Sequence, residues 1–136
     1  MMEPRWLSQL IADVIHSELL REHGGALGVR KGGDDLIESA LARPQNRLAC
    51  LPESDLPALA AAYLTGLVMN PGYADGNKRV AFACATTFLQ LNGLRLTASE
   101  PEAYDAVMGL VEGRYSEEEI AAWIRSHSEA VHPAPD

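Results

Sequence analysis

Two helix-length segments without a polar face constrain this chain more than anything else in it. Leu59, Ala60, Ala61, Ala62, Tyr63, Leu64, Leu67, Val68 and Met69 fill the stretch from Ala58 to Asn70. Val80, Ala81, Phe82, Ala83, Cys84, Ala85, Phe88 and Leu89 fill the stretch from Val80 to Leu91. A helix that is apolar all round is a buried one, so both belong at the centre of a helical core. Neither run reaches the ~18 to 20 apolar residues that a membrane span needs. The opening Met-Met-Glu-Pro-Arg lacks the basic-then-apolar order of a secretory signal. The expectation is a soluble, cytoplasmic protein without a membrane partner.

Composition narrows the fold further. Aromatic residues are only 6% of the chain while alanine and leucine abound, a balance that favours helices because small or straight side chains lose little freedom there. The 136 residues suffice for one core and no second domain. The expected organisation is a domain over residues 1–130 and a disordered tail over 131–136, where Pro133 and Pro135 fall. With 19 acidic against 11 basic residues the formal charge is −8, which opposes binding to phosphate backbones, so no direct nucleic-acid binding is expected. Cys50 and Cys84 stand far apart with no C-x-x-C pair, which argues against a disulfide framework or a zinc knuckle.

The flanking segments read as smaller elements. From Trp6 to His23, the residues Leu7, Leu10, Ile11, Val14, Ile15 and Leu19 recur at helical spacing, predicting an amphipathic helix stopped by Gly24-Gly25. Asp34 or Asp35 caps a short helix through Leu41 that Pro44 ends. Residues 43–57 then read as a loop, with an extended hairpin near Leu48 to Leu51. Leu94 to Thr97 form a brief extended piece. Ser99 with Glu102, and Ser116 with Glu119, are capping-box patterns that open two further helices, one through Val107 and Val111, the other through Ile120, Trp123 and Ile124.

The chemistry is concentrated between the two apolar segments, in Asn70-Pro71-Gly72-Tyr73-Ala74-Asp75-Gly76-Asn77-Lys78-Arg79. A helix N-terminus presents unpaired backbone N–H groups and a positive dipole end, a ready place for an anion. Gly76 permits close backbone approach, Asn77 offers an amide, Lys78 a point charge and Arg79 a planar fork for phosphate oxygens. Asp75 offers an oxygen ligand for Mg²⁺. The plainer reading is that Asp-Gly-Asn is turn chemistry and Lys-Arg a solvated helix start.

Tyr73-Ala-Asp-Gly-Asn-Lys-Arg79 resembles the motif H-x-F-x-[DE]-x-N-[GK]-[RK] of the Fic/Doc family, and its Asn-Lys-Arg ending is similar to the Doc (death on curing) branch of bacterial toxins. Other blocks resemble that branch in order and spacing. They are His16, Gly24-Gly25, Gly28-Val29-Arg30, Leu36 to Ala40 with Arg43-Pro44-Gln45, and Phe88-Leu89 with Leu91-Asn92-Gly93. Together they span about residues 5 to 127, and Lys31 to Asp35 is two residues longer than the pattern. The resemblance implies an all-α, Fic/Doc-type helical bundle whose central buried helix pair flanks the motif loop. It implies ATP or another NTP as co-substrate with Mg²⁺, and phosphoryl or adenylyl transfer to a protein hydroxyl. It also implies elongation factor Tu or another translation protein as target, and a Phd-like antitoxin as partner. Asp75 would hold the metal; Gly76, Asn77, Lys78 and Arg79 would bind the nucleotide phosphates, with Lys78 and Arg79 also catalytic. Lys78 stands where adenylylating members carry glycine.

Against that pattern Tyr73 occupies the phenylalanine place and Pro71 the place of the histidine that serves as general base. Proline has no titratable group, and loss of a base costs ~10² to 10⁴ in rate. The expectation is nucleotide binding with impaired transfer; the alternative is a silent relative acting as a nucleotide- or antitoxin-binding module. A helical bundle without a ligand is the remaining reading.

Other residues are weighed as replacements. His16 reads as a hydrogen-bonded core histidine, with the alternative that it reaches the loop. His127 and His132 read as exposed in a frayed C-terminus, Tyr73 as too weakly acidic to act as a base, and no histidine pair has the i, i+4 spacing of a helical zinc site. Glu117-Glu118-Glu119 reads as favouring its own helix dipole, and Cys84 as a small core residue.

Overall fold

The computed structural model of the chain describes residues 3–131. Among these residues six helices and two short strands follow in order: α1 (Gln9–His23), α2 (Gly33–Cys50), α3 (Leu56–Met69), α4 (Asn77–Leu91), β1 (Leu94–Leu96), α5 (Glu100–Val111), α6 (Glu117–Ser126) and β2 (Ser128–Ala130). The all-α expectation holds. His132 and residues 132–136 lie outside the described residues, so the expected tail is described only at Val131, whose N–H donates to the Gly93 carbonyl at 2.9 Å.

α3 is the axis of the fold. Every residue from Pro57 to Leu67 is buried, and α2, α4 and α6 pack around it. Tyr63 fixes its relation to the N-terminal segment: its ring meets Phe88 at 5.0 Å between centroids, and its hydroxyl accepts the Leu7 N–H at 2.9 Å. Burial pushes that phenol up to about 12, which keeps it neutral as a hydrogen-bonding group. α4 differs from the expectation. Val80, Ala81, Cys84, Ala85, Phe88 and Leu89 are buried, but Phe82, Ala83, Thr86 and Thr87 are half-buried and Leu91 is exposed, so one flank is left open.

Three expectations are corrected. α2 does not end at Pro44 but runs through it to Cys50, so Leu48 lies in a helix and not in a hairpin. Proline removes one helical hydrogen bond, the one Ala40 would accept, at a cost of about 3 kcal/mol. Pro44 is almost fully buried, and α3 passes close by, since a Cβ on Gly66 would lie 3.1 Å from the Ala40 oxygen. Ion pairs on either side of Pro44 also hold α2: Arg43 and Arg47 meet Glu117 at 2.6 and 2.9 Å, and Arg47 meets Glu118 at 2.8 Å. The acidic run at the start of α6 therefore clamps α2 as well as favouring its own dipole.

The second correction concerns α1. Of the expected stripe Leu7 is buried and Ile11, Ile15 and Leu19 pack against the core, but the innermost line is Ala12, His16 and Leu20, and Leu10 and Val14 are 73% and 53% exposed. Close packing selects the narrow line of Ala12 over the larger apolar side chains beside it. The third concerns the C-terminus. β2 pairs antiparallel with β1, Leu94 opposite Ala130. His127 caps α6 and sits 3.0 Å from the Glu102 carboxylate, so it is held and not frayed. The two capping boxes form as expected, with Ser99 and Ser116 each accepting the backbone N–H of its glutamate partner.

Candidate functional site

The turn from α3 to α4 opens on a cavity of about 690 Å³. Its near wall is Pro71, Ala74, Asp75, Gly76, Asn77, Lys78 and Arg79, so the structure brings every candidate residue of the motif to one place. Its far wall is apolar: Val68 and Phe82, with Tyr104, Val107, Met108 and Val111 from one face of α5. That face repeats at i, i+3, i+4 and i+7; only Val107 and Val111 of it were read from the sequence, as part of a helix, and nothing in them signalled which element they would oppose.

The N-terminus of α4 is open to a ligand. Gly76 is its N-cap, in the left-handed region at φ 74°, and no side chain caps it. The helices α1, α3, α5 and α6 are capped by Ser8, Asp55, Ser99 and Ser116; α2 also starts on a left-handed glycine, Gly32, and Asp34 and Asp35, expected as its caps, lie inside its first turn. The first free backbone N–H groups of α4 therefore lack an internal partner, and two exposed cations stand among them. Arg21, Arg43, Arg47, Arg95, Arg114 and Arg125 each meet a carboxylate. Lys78 and Arg79 meet none among the described residues. In a chain of charge −8, two neighbouring unpaired cations on a positive helix end leave a local attraction for anions.

The loop is held in shape from several sides. Asn77 does not project freely: its Oδ1 accepts the Tyr73 N–H at 2.9 Å and its Nδ2 donates to the Tyr73 carbonyl at 3.0 Å. This closes the turn onto the first residue of α4. The Tyr73 hydroxyl donates to Asp13 at 2.7 Å, and its ring stacks on His16 at 4.1 Å between centroids. The His16 Nε2 lies 2.9 Å from the Asp75 carbonyl oxygen. His16 is thus both things weighed for it, a buried hydrogen-bonded histidine at 3% exposure and a contact to the loop, and its Nε2 is occupied by a backbone oxygen. Burial and the Asp13 carboxylate raise the Tyr73 phenol well above its usual range, so it is not a base.

Residues 28–30 pair with the loop as a short antiparallel bridge. Arg30 N–H donates to the Gly72 carbonyl and Ala74 N–H to that of Gly28, both at 2.9 Å. The Arg30 guanidinium also reaches the Pro71 carbonyl at 3.2 Å. Glycine is required where the chains touch: a Cβ on Gly33 would lie 2.0 Å from the Gly72 oxygen, and one on Gly72 would lie 2.5 Å from the Gly33 oxygen. Gly25 lies equally close to Asp75, 2.8 Å from a would-be Cβ to Oδ2. Asp13 and Gly33 were given no role by sequence reasoning, and Arg30 entered only as part of the Gly28-Val29-Arg30 block. They act on the loop across long sequence separations, which local patterns do not encode.

Asp75 is exposed on the cavity wall; its Oδ1 accepts the Gly76 N–H at 2.9 Å, and Oδ2 makes no hydrogen bond among the described residues. No group of three metal-binding side chains occurs among them. One carboxylate beside a phosphate site is the donor set of a Mg²⁺ held mostly by phosphate oxygens and water, so the residues present fit that ion. Cys84 lies behind the loop, fully buried, and desolvation pushes its thiol up to about 12. It is a core residue and not a nucleophile.

Residues 6–89 match the Fic/DOC family. The protein named Toxin Doc of Mycolicibacterium smegmatis is 45% identical over 78 residues, which are 55% of this chain and 57% of that protein. Protein kinase doc of Escherichia phage P1 is 32% identical over 117 residues, 86% of this chain and 89% of the phage protein. The chain therefore matches little more than half of the first relative and nearly all of the second.

Proposed function

The chain belongs to the Fic/DOC family, and from that premise we propose that it is a Doc-like toxin that binds a nucleoside triphosphate with Mg²⁺ in the α3–α4 cavity. Its reaction is phosphoryl transfer, with adenylyl transfer as the second form, to a hydroxyl of a translation protein such as elongation factor Tu. A Phd-like antitoxin holds it in check in the cytoplasm. The observation that carries this reading is the convergence of Asp75, Lys78 and Arg79 on one cavity at a helix N-terminus without a side-chain cap.

The roles follow from the chemistry of each group. Arg79 binds phosphate oxygens through its planar fork and Lys78 as a point charge, both stabilising charge that develops in transfer. The N–H groups of the first turn of α4 bind a further phosphate oxygen. Asn77 contributes by shaping the turn. Asp75 supplies the carboxylate for Mg²⁺, which neutralises phosphate charge when bound. In transfer, the target oxygen forms a bond to phosphorus as the bond to the leaving phosphate oxygen breaks, and the hydroxyl proton needs an acceptor. Pro71 stands at the base position and provides none, so the reading includes transfer slowed by ~10² to 10⁴. The same residue favours a second reading, a relative that binds nucleotide or antitoxin without transferring.

Thermal unfolding with ATP and Mg²⁺ tests the binding. Saturation at about 100-fold over Kd adds about 2.7 kcal/mol in the parent and far less in Arg79→Ala. Incubation with γ-labelled or α-labelled ATP and elongation factor Tu then separates the readings, the γ label marking phosphoryl transfer and the α label adenylyl transfer. Label transferred by the parent and lost in Arg79→Ala supports the toxin. Label transferred only by Pro71→His supports the silent relative, and no nucleotide stabilisation in any variant overturns the toxin reading and leaves the silent relative only as an antitoxin-binding module.

A further inference from the structure

We propose that Asp13 is a positioning residue of the phosphate loop, acting through the Tyr73 hydroxyl. This rests on the nucleotide-binding reading of the α3–α4 cavity.

The argument is one of mechanical connection. Tyr73 is 3% exposed, and both of its backbone polar groups are tied to the Asn77 amide. Asn77 is the first residue of α4, so wherever Tyr73 goes, the N–H groups beside Lys78 and Arg79 follow. The backbone bridge to residues 28–30 holds the loop at Gly72 and Ala74. α1 is the anchor of Tyr73 itself, with His16 buried and Asp13 exposed. It meets the loop with two side chains three positions apart on one face: Asp13 accepts the Tyr73 hydroxyl at 2.7 Å, and His16 stacks on the ring and bonds the Asp75 carbonyl. A phenol donating to a carboxylate is a charge-assisted hydrogen bond, roughly twice as strong as a neutral one.

Electrostatics sharpens the point. An additional carboxylate near a site for triphosphate opposes the ligand through space. Asp13 has no salt-bridge partner among the described residues, and the Tyr73 hydroxyl is its one hydrogen-bond donor there. Its contribution to nucleotide binding is therefore geometric. Asp13 locks the ring, the ring locks Asn77, and Asn77 sets the mouth of α4 before the anion arrives, which lowers the cost of ordering on binding.

Four variants test this: Tyr73→Phe, Asp13→Ala, Asp13→Asn and the double variant Asp13→Ala/Tyr73→Phe. The first readout is amide hydrogen exchange in the free protein at Tyr73, Ala74 and Val80, set against Leu59 and Ala61 of α3 as reporters of global stability. The second is the Kd for ATP with Mg²⁺. Tyr73→Phe and Asp13→Ala speed exchange at the loop amides about tenfold relative to the α3 amides and weaken nucleotide binding several-fold. Asp13→Asn, which keeps an acceptor oxygen but loses the charge, falls between the parent and Asp13→Ala, with loop exchange about threefold faster than the parent's, and the double variant is no worse than either single. Unchanged loop exchange in Tyr73→Phe and Asp13→Ala overturns the proposal. So does a rise shared equally by the α3 amides, or additive effects in the double variant. A parent that binds no nucleotide refutes the nucleotide reading alone, and the exchange readout still decides whether Asp13 holds the loop.

Discussion

Alanine at position 33 sets two effects against each other. Gly33 opens α2 with no positive φ, and in such a helical position alanine is favoured over glycine by roughly 0.5–1 kcal/mol. Propensity alone predicts a more stable protein. Against it, the new Cβ would stand 2.0 Å from the Gly72 oxygen, 3.0 Å from the Gly72 carbonyl carbon and 3.1 Å from the Val29 Cβ. The obstruction is backbone, so no rotamer change relieves it, and the loop must move by at least about 1 Å to reach an ordinary contact. That displacement breaks the Arg30 N–H to Gly72 bond and strains the Ala74 N–H to Gly28 bond, each 2.9 Å long. Two such bonds contribute about 1 kcal/mol each, and overpacking strain is itself about 1–3 kcal/mol. The steric side wins by about 2–4 kcal/mol, a fall in Tm of about 7–14 °C for a chain of this size. Thermal unfolding followed by circular dichroism measures it, and the loop displacement also weakens nucleotide binding. A Tm equal to or above the parent's would refute the reasoning, because helix propensity would then have prevailed over the contact said to brace the loop.

Two further outcomes concern the scaffold. The Arg125 guanidinium, against cost from burial, holds the Asp55 carboxyl below its ordinary value of 3.8, so the pair contributes stability above that pH and loses it as pH falls through the lower, folded value. Asp55→Asn keeps the cap on α3, so its acid unfolding should show a smaller loss below about pH 4 than the parent's; identical acid profiles would dismiss the pair. Glu117→Gln removes the charge facing Arg43 and Arg47 across a half-buried contact, and urea unfolding should show a loss of about 1–2 kcal/mol, between that of an exposed and a buried pair. A midpoint unchanged in urea would mean the clamp on α2 adds nothing.

What was legible in the sequence follows from how far apart the determinants lie. α3 is visible because its apolar character is continuous along the chain, and the starts of α5 and α6 because Ser99–Glu102 and Ser116–Glu119 fit within one helical turn. The near wall of the cavity is legible for the same reason, since Asp75 to Arg79 are contiguous. Pro44 misleads because a stop signal is local while the burial and ion pairs that override it come from α3 and α6. The face of α1 misleads because Ala12 and His16 are too small or too polar to mark a buried line, whereas Leu10 and Val14 mark one that is open. The α5 wall, Asp13 and the β1–β2 pairing are invisible for a common reason: each depends on a partner dozens of residues away.

The loop bears on whether Pro71 marks decay. A site drifting without constraint accumulates changes that do not fit one another, and here they fit closely. Gly72 follows Pro71, and its missing side chain makes room for the Gly33 carbonyl and for Ile37, whose Cγ1 would lie 2.6 Å from a Cβ at position 72. Gly33 belongs to the segment 31–35 that runs long against the family pattern, and it has no room for a side chain either. Tyr73 comes next, its hydroxyl held by Asp13 and its backbone by Asn77. Two consecutive residues are thus matched to three separate elements, α2, α1 and α4, a consistency that drift does not produce. On the proposed reading of position 71 as the base position, a base is best returned there alone. Pro71→His leaves Gly72 and Tyr73 in their contacts, whereas any side chain at 72 drives the loop away from α2 and confounds a loss of chemistry with a loss of shape.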